Sequence, residues 1–300
     1  MTNAWVQRII TLGSLLASWL AAAWFWEAQR AYALWCLVAP FLITPVLLAI
    51  QCLMAAQANR ADSAPRASFS QWLRALGAEW RIAALVFTWW QPYRHHAIDD
   101  QLAPTPGRRG MVLVHGFFCN RALWMEWMSR LRDEGRVFVS VDLEPAYGSI
   151  SDYARTIEQA IAQVEKATGL PPVLVGHSMG GLAIRAWAAQ YVRSEEQLAR
   201  VHRIFTLGTP HQGTAIATLM LTENSLQMRQ ASDWLASNSS RLPDHFAKKC
   251  TCFYSNCDNI VFPCHTATLQ GADNRFIAGR AHVELVCVDE IKQACWAALN

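Results

Sequence analysis

The sequence predicts an α/β fold: a mainly parallel sheet with helices on both faces, preceded by two helices long enough to cross a membrane. Three observations carry that expectation. From residue 110 onward, short apolar, β-branched runs alternate with stretches of helical periodicity, the pattern of strands joined by crossover helices. One such run, residues 173–177, leads through Gly176-His177-Ser178-Met179-Gly180 straight into a helix-forming stretch. Ahead of these, residues 9–26 and 32–50 carry no charge at all, and each run is long enough to span a hydrocarbon core of about 30 Å.

Composition narrows the class. The chain has 300 residues, of which 53% are hydrophobic and only 16% charged, and the net charge of +3 is too small to argue for a nucleic-acid partner. Many of the 14 tryptophans fall early in the chain, where an amphipathic indole suits a membrane or its interface. Nine cysteines in a chain of this length do not make a disulfide framework. The cluster Cys250, Cys252, Cys257 and Cys264 lacks a paired C-x-x-C, so free buried thiols in a reducing compartment are expected rather than a metal site.

Taken in order, residues 1–58 read as a tight membrane hairpin, with Glu27 and Arg30 between its two apolar runs. A signal peptide is the competing reading of the first run, and the second run directly after it weighs against that. Arg8 precedes the first apolar run and Arg60, Arg66 and Arg74 follow the second, a bias that favours both ends at the cytoplasmic face of a bacterial inner membrane. Residues 59–109 form a linker and an amphipathic helix. In the helix, Trp72, Leu73, Leu76, Trp80, Ala83, Ala84 and Phe87 recur at three- and four-residue steps. That stripe suits a helix lying on the bilayer surface or one packed on the next domain.

Residues 110–300 hold the α/β domain, with strands expected at 111–115, 137–141, 173–177, 203–207, 251–255 and 275–278. Helices are expected at 122–133, 152–167 and 283–299 and after the Gly-x-Ser-x-Gly turn. Residues 215–246 are too long for a simple connection and carry Leu219, Met220, Leu226 and Trp234, which reads as a helical cap.

The chemistry centres on Ser178. A strand, a sharp turn and a helix would hold its hydroxyl clear of the sheet as a nucleophile, with a helix N-terminus behind it. A serine needs a base, and the base a carboxylate. Asp258 follows a strand and is the expected acid; Asp244, Asp273 and Asp289 are the alternatives. His282, between the last strand and the closing helix, is the expected base, and His265 its rival. Val112-Leu113-Val114-His115-Gly116-Phe117 ends a strand in a glycine-permitted turn. The amides of Phe117 and Met179 would then form an oxyanion hole, each donor worth on the order of 3 kcal/mol. The His115 side chain is read as structural. No phosphate-binding glycine loop is present, and no metal or organic cofactor is expected.

His115-Gly116-Phe117, Gly176-His177-Ser178-Met179-Gly180-Gly181 and Gly208-Thr209-Pro210-His211-Gln212-Gly213-Thr214 together resemble the α/β-hydrolase superfamily, most closely bacterial lipases and esterases of the triacylglycerol-lipase type. The resemblance covers residues 110–300. It implies an α/β-hydrolase fold and carboxylic-ester hydrolysis through an acyl-serine, with Ser178 as nucleophile, Asp258 as acid and His282 as base. The substrate it implies is lipid-like. The hairpin departs from the secreted members' pattern. An acyltransferase or a thioesterase would use the same triad, and a non-catalytic membrane module is the alternative of another class.

Overall fold

The apolar runs pair as a six-stranded sheet in a computed structural model that describes residues 2–300. The strands are β1 (Met111–Val114), β2 (Phe138–Ser140), β3 (Val173–His177), β4 (Arg203–Leu207), β5 (Cys250–Tyr254) and β6 (Asp273–Phe276). Their order is β2-β1-β3-β4-β5-β6 and every pairing is parallel. Parallel strands joined by helices are covered on both faces, which is why these runs are almost continuously apolar.

The two-residue period of a strand divides the core. Met111, Leu113, Val175, Phe205 and Phe253 face Trp127, Leu131 and Ile291, on helices Met125–Asp133 and Asp289–Ala297. Val112, Val114, Leu174 and Ile204 face Ile157, Ile161, Val164 and Ala183, on helices Ala154–Thr168 and Met179–Tyr191. This is the α/β-hydrolase architecture the sequence implied.

Two expectations are corrected. The last strand begins at Asp273 rather than at residue 275, because the ladder pairs Thr251 with Asp273 and an edge strand tolerates polar side chains. The closing helix is not continuous over 283–299. A 3-10 turn, Val283–Cys287, and the helix Asp289–Ala297 are separated by Val288 in extended backbone. The carbonyl of Val286 is taken by the Trp127 indole at 2.7 Å instead of by the next helical turn.

The N-terminal runs form two antiparallel helices, α1 (Asn3–Phe25) and α2 (Arg30–Ala58), and α2 continues through Pro40 and Pro45. Both are long and apolar enough to cross a membrane, and both leave large side chains such as Trp19, Trp24, Phe41 and Ile43 exposed. Their turn lies at one end; at the other, both helices are rooted in the α/β body. Asn3 Nδ2 donates to Cys119 O (2.7 Å) and Gln7 Nε2 to Phe118 O (2.9 Å). On α2, Gln51 Oε1 accepts from Asn259 Nδ2 at 2.8 Å.

Residues 59–68, expected as a linker, are docked. Asn59 accepts from the amide of Cys264 at 2.8 Å, and Asp62 accepts from both the amide and Nδ1 of His265. Then α3 (Phe69–Leu85) starts at a Ser68/Gln71 capping box and ends in a π-helical turn, Val86–Trp90. The body is met by the small side of α3, Ala75 and Ala83 with Glu79 between them, whereas Leu73 and Trp80 point outward.

Candidate active site

Ser178 stands at the carboxyl end of β3 with φ 54° and ψ −128°, the left-handed region that an L-residue enters only under constraint. The strain is held by Ser178 N donating to Leu207 O (2.8 Å) and by Thr209 Oγ1 donating to Ser178 O (2.9 Å). Met179 opens the helix, so its amide belongs to the first turn, whose N–H groups have no intrahelical acceptor. The loop after β1 lies against the serine: a Cβ on Gly116 would fall 2.8 Å from Ser178 Cβ. Phe118, also at positive φ (57°), turns the chain just past Phe117. Among the described residues, neither the Phe117 nor the Met179 amide has a hydrogen-bond acceptor, so both stay available beside the serine.

Asp258 and His282 are brought together across 24 residues: His282 Nδ1 lies 2.9 Å from Asp258 Oδ2. The other Asp258 oxygen accepts from the amides of Ile260 (2.9 Å) and Val261 (2.8 Å), so the carboxylate is fixed. With its proton on Nδ1, the imidazole keeps Nε2 free as an acceptor. Burial pulls the His282 pKa down, but the Asp258 charge and hydrogen bond, helped by Glu79, outweigh it and raise it above the ordinary value of 6.5. Ser178 and His282 line one cavity of about 480 Å³ without a direct hydrogen bond among the described residues, the looser geometry common before substrate binds.

The alternatives are placed elsewhere. His265 is on Asp62; Asp273 pairs with Arg275 at 2.9 Å; Asp289 starts the last helix. His115 is buried and neutral: Nε2 accepts from Leu143 N (3.0 Å) and Nδ1 donates to Gly116 O (2.9 Å), so its ring braces the loop that carries Phe117. His211 is buried beside Thr206 Oγ1. No group of three His, Cys, Asp or Glu side chains that could hold a metal ion occurs among the described residues, and the cysteines are free.

Sequence reasoning passed over three supports of His282. His177 lies against its ring, centroids 4.6 Å apart, and donates from Nε2 to His282 O at 3.1 Å. Asn259 Oδ1 accepts the His282 amide at 3.1 Å and links onward to Gln51 on α2. Glu79 accepts the amides of Val283 and Glu284. The signal for Glu79 was the lone acid of α3, on the same side of the helix as Ala75 and Ala83.

Gly208, from the third motif, explains its own identity. Its φ is 56°, and a Cβ there would sit 2.8 Å from Asp258 Oδ2 and 3.1 Å from His282 Nδ1. Gly208→Ala is therefore expected to push the pair apart and lower kcat for ester hydrolysis by about 10²-fold, the usual effect of an ångström-scale misplacement. Esterase kinetics check this; an unchanged kcat would mean that the pair tolerates the displacement.

The cavity that holds Ser178 is walled by Thr44, Leu47 and Leu48 of α2, by Phe117 and Phe118, and by Leu219 and Met220. Leu219 and Met220 come from residues 215–246, a run of short helices, Ala215–Leu219, Glu223–Gln227 and Asp233–Ser239. A second cavity of about 530 Å³ lies between α2 and α3, around Trp72, and contains none of these groups.

Comparison with known proteins bears on the family and the fold. Residues 111–276 match the alpha/beta hydrolase family. No curated protein matches the sequence. Among solved structures, the mature form of the Bacillus licheniformis lipase BlEst2 is similar, with a TM-score of 0.53 and 16% identity over 66% of this chain and 94% of that one. The propeptide form of the same lipase gives 0.50 and 18%, over 63% and 49%. These likenesses speak to the fold. With the family match spanning more than half of its length, including both β1 and the serine turn after β3, the chain belongs to the alpha/beta hydrolase family.

Proposed function

We propose that this chain is a membrane-anchored serine hydrolase that cleaves carboxylic esters carrying acyl chains. Ser178 attacks the ester carbonyl while His282 Nε2 takes its proton, Asp258 stabilises the imidazolium, and the amides of Phe117 and Met179 hold the oxyanion. Protonated His282 gives its proton to the leaving alcohol, and a water activated by the same base releases the acid. The α1–α2 hairpin would cross the membrane from the cytoplasmic face, since Arg8, Arg60, Arg66 and Arg74 lie toward the body end against Arg30 alone at the turn.

One observation supports the lipid part of this reading: the wall of the cavity beside Ser178 includes α2, a helix long and apolar enough to cross a membrane. Thr44, Leu47 and Leu48 line the space where an acyl chain would lie, with Leu219 and Met220 of the cap opposite. A chain resident in the bilayer would enter along α2 without crossing water, and burying each further methylene contributes about 0.8 kcal/mol.

A p-nitrophenyl ester series from acetate to palmitate tests it. Long chains are expected to be preferred. Leu47→Trp, which fills the wall, is expected to lower the long-to-short ratio of kcat/KM by about tenfold or more. Stiffening the cap at Leu219 and Met220 should also move the optimum. Chain-length preference unmoved by either change would sink the acyl-pocket reading and leave a short-chain esterase.

A further inference from the structure

Glu79 is a buried carboxylate that the mechanism above does not use. It is 2% exposed, and it lines the cavity with Ser178 and His282. Oε1 and Oε2 both lie 3.0 Å from the amide of Val283, and Oε2 lies 3.1 Å from that of Glu284. These are the two residues directly after His282. No lysine or arginine pairs with Glu79 among the described residues; the nearby guanidiniums of Arg74 and Arg280 are both spent on Glu284.

Accepting two amide bonds needs an oxygen but not a charge. A glutamine would do it with far less desolvation, since an unpaired buried carboxylate is costly. Burial accordingly pushes the Glu79 carboxyl up to about 7, against the amide bond from Val283 and the charge of His282. Among the described residues, the cation placed to compensate it is the imidazolium that His282 would form during turnover.

We propose that Glu79 is a positioning residue for His282, holding the loop that carries the base through the amides of Val283 and Glu284 and offering a second carboxylate to the imidazolium. This rests on the reading of His282 as the base. Asp258 would orient the ring from Nδ1, Asn259 and His177 would hold its own amide and carbonyl, and Glu79 would act from below the backbone. The group comes from α3, outside the family match, so the N-terminal segment would contribute to the base directly. The titratable groups facing this pair are Asp258, His177, Glu284 with Arg74 and Arg280, and the thiols of Cys52, Cys119 and Cys287.

The test uses the full chain in detergent. Glu79→Gln keeps the shape and an acceptor and removes the charge; Glu79→Asp keeps the charge and shortens the reach. In Glu79→Gln, kcat is expected to fall by about ten- to a hundredfold with KM within about threefold. The acid limb of kcat/KM should move down by about half a pH unit or more. Glu79→Asp should lose rate while holding the limb near its original pH; if the glutamine variant does not fold, Glu79→Ser, which also removes the charge but leaves room for water at the two amides, is read for the same downward shift. A merely structural Glu79 would lower the melting temperature and the rate without moving the limb, and that overturns the proposal. The same midpoint is read without turnover by NMR titration of isotope-labelled histidines, with His282→Gln assigning the signal. If the wild-type chain hydrolyses no ester, the proposed function fails. The His282 titration still decides about Glu79: a midpoint unchanged in Glu79→Gln overturns it.

Discussion

Ser178→Ala is expected to lower kcat for ester hydrolysis by about 10⁵-fold or more, with the fold intact. The expectation is large because Ser178 would supply the only covalent step, and a triad works as a unit. The fold should survive because the change removes one hydroxyl. The bonds that hold the turn, from Ser178 N to Leu207 O and from Thr209 Oγ1 to Ser178 O, use backbone atoms that alanine retains. Two measurements check it: p-nitrophenyl ester kinetics, and labelling by a fluorophosphonate, which should modify the wild-type chain and not the variant. Residual activity near the wild-type level would place the nucleophile elsewhere. A wild-type chain that neither turns over esters nor takes the label would be a non-catalytic membrane module.

Asp258→Asn should cost about 10⁴-fold in kcat, because an amide at this position favours the wrong imidazole tautomer. The pH dependence gives a sharper signature. As the proposed base, His282 would act only when neutral, so activity should rise as pH climbs through its pKa. In the wild type, Asp258 and Glu79 hold that pKa above 6.5, and the acid limb of kcat/KM should lie correspondingly high. Removing the Asp258 charge leaves burial to pull the pKa down, so the residual activity should persist to lower pH than in the wild type. A limb that stays fixed in Asp258→Asn would mean that a different group titrates.

The sheet and its serine turn were legible in the sequence because they are local. An apolar run such as residues 173–177 fixes a buried parallel strand, and Gly-x-Ser-x-Gly fixes the turn after it. The order of Ser178, Asp258 and His282 along the chain was legible as a resemblance, and the structure puts Asp258 and His282 in hydrogen-bond contact. The carboxylate of Glu79 was not legible, since it meets Val283 across 204 residues of chain and nothing near it in sequence announces the contact. The same holds for Gln51 and Asn259, which are 208 residues apart. The stripe on α3 suited a bilayer-surface helix or one packed on the next domain, and α3 packs on the body. Trp72 and Ile82 pack against the core, and the buried Ala75 and Ala83 let the helix come close enough for Glu79 to reach the backbone.

The roots of the hairpin grip both halves of this arrangement. Asn3 and Gln7 hold the loop that carries Phe117, and Gln51 and α3 hold the loop that carries His282. A hydrolase built this way cannot be shed as a working fragment. If the proposed function holds, a protease cutting near the docked residues 59–68 would not liberate a diffusible activity; it would loosen two supports of the site at the moment of release. In the proposed membrane-anchored enzyme, confinement to one surface would then be a property of the architecture itself.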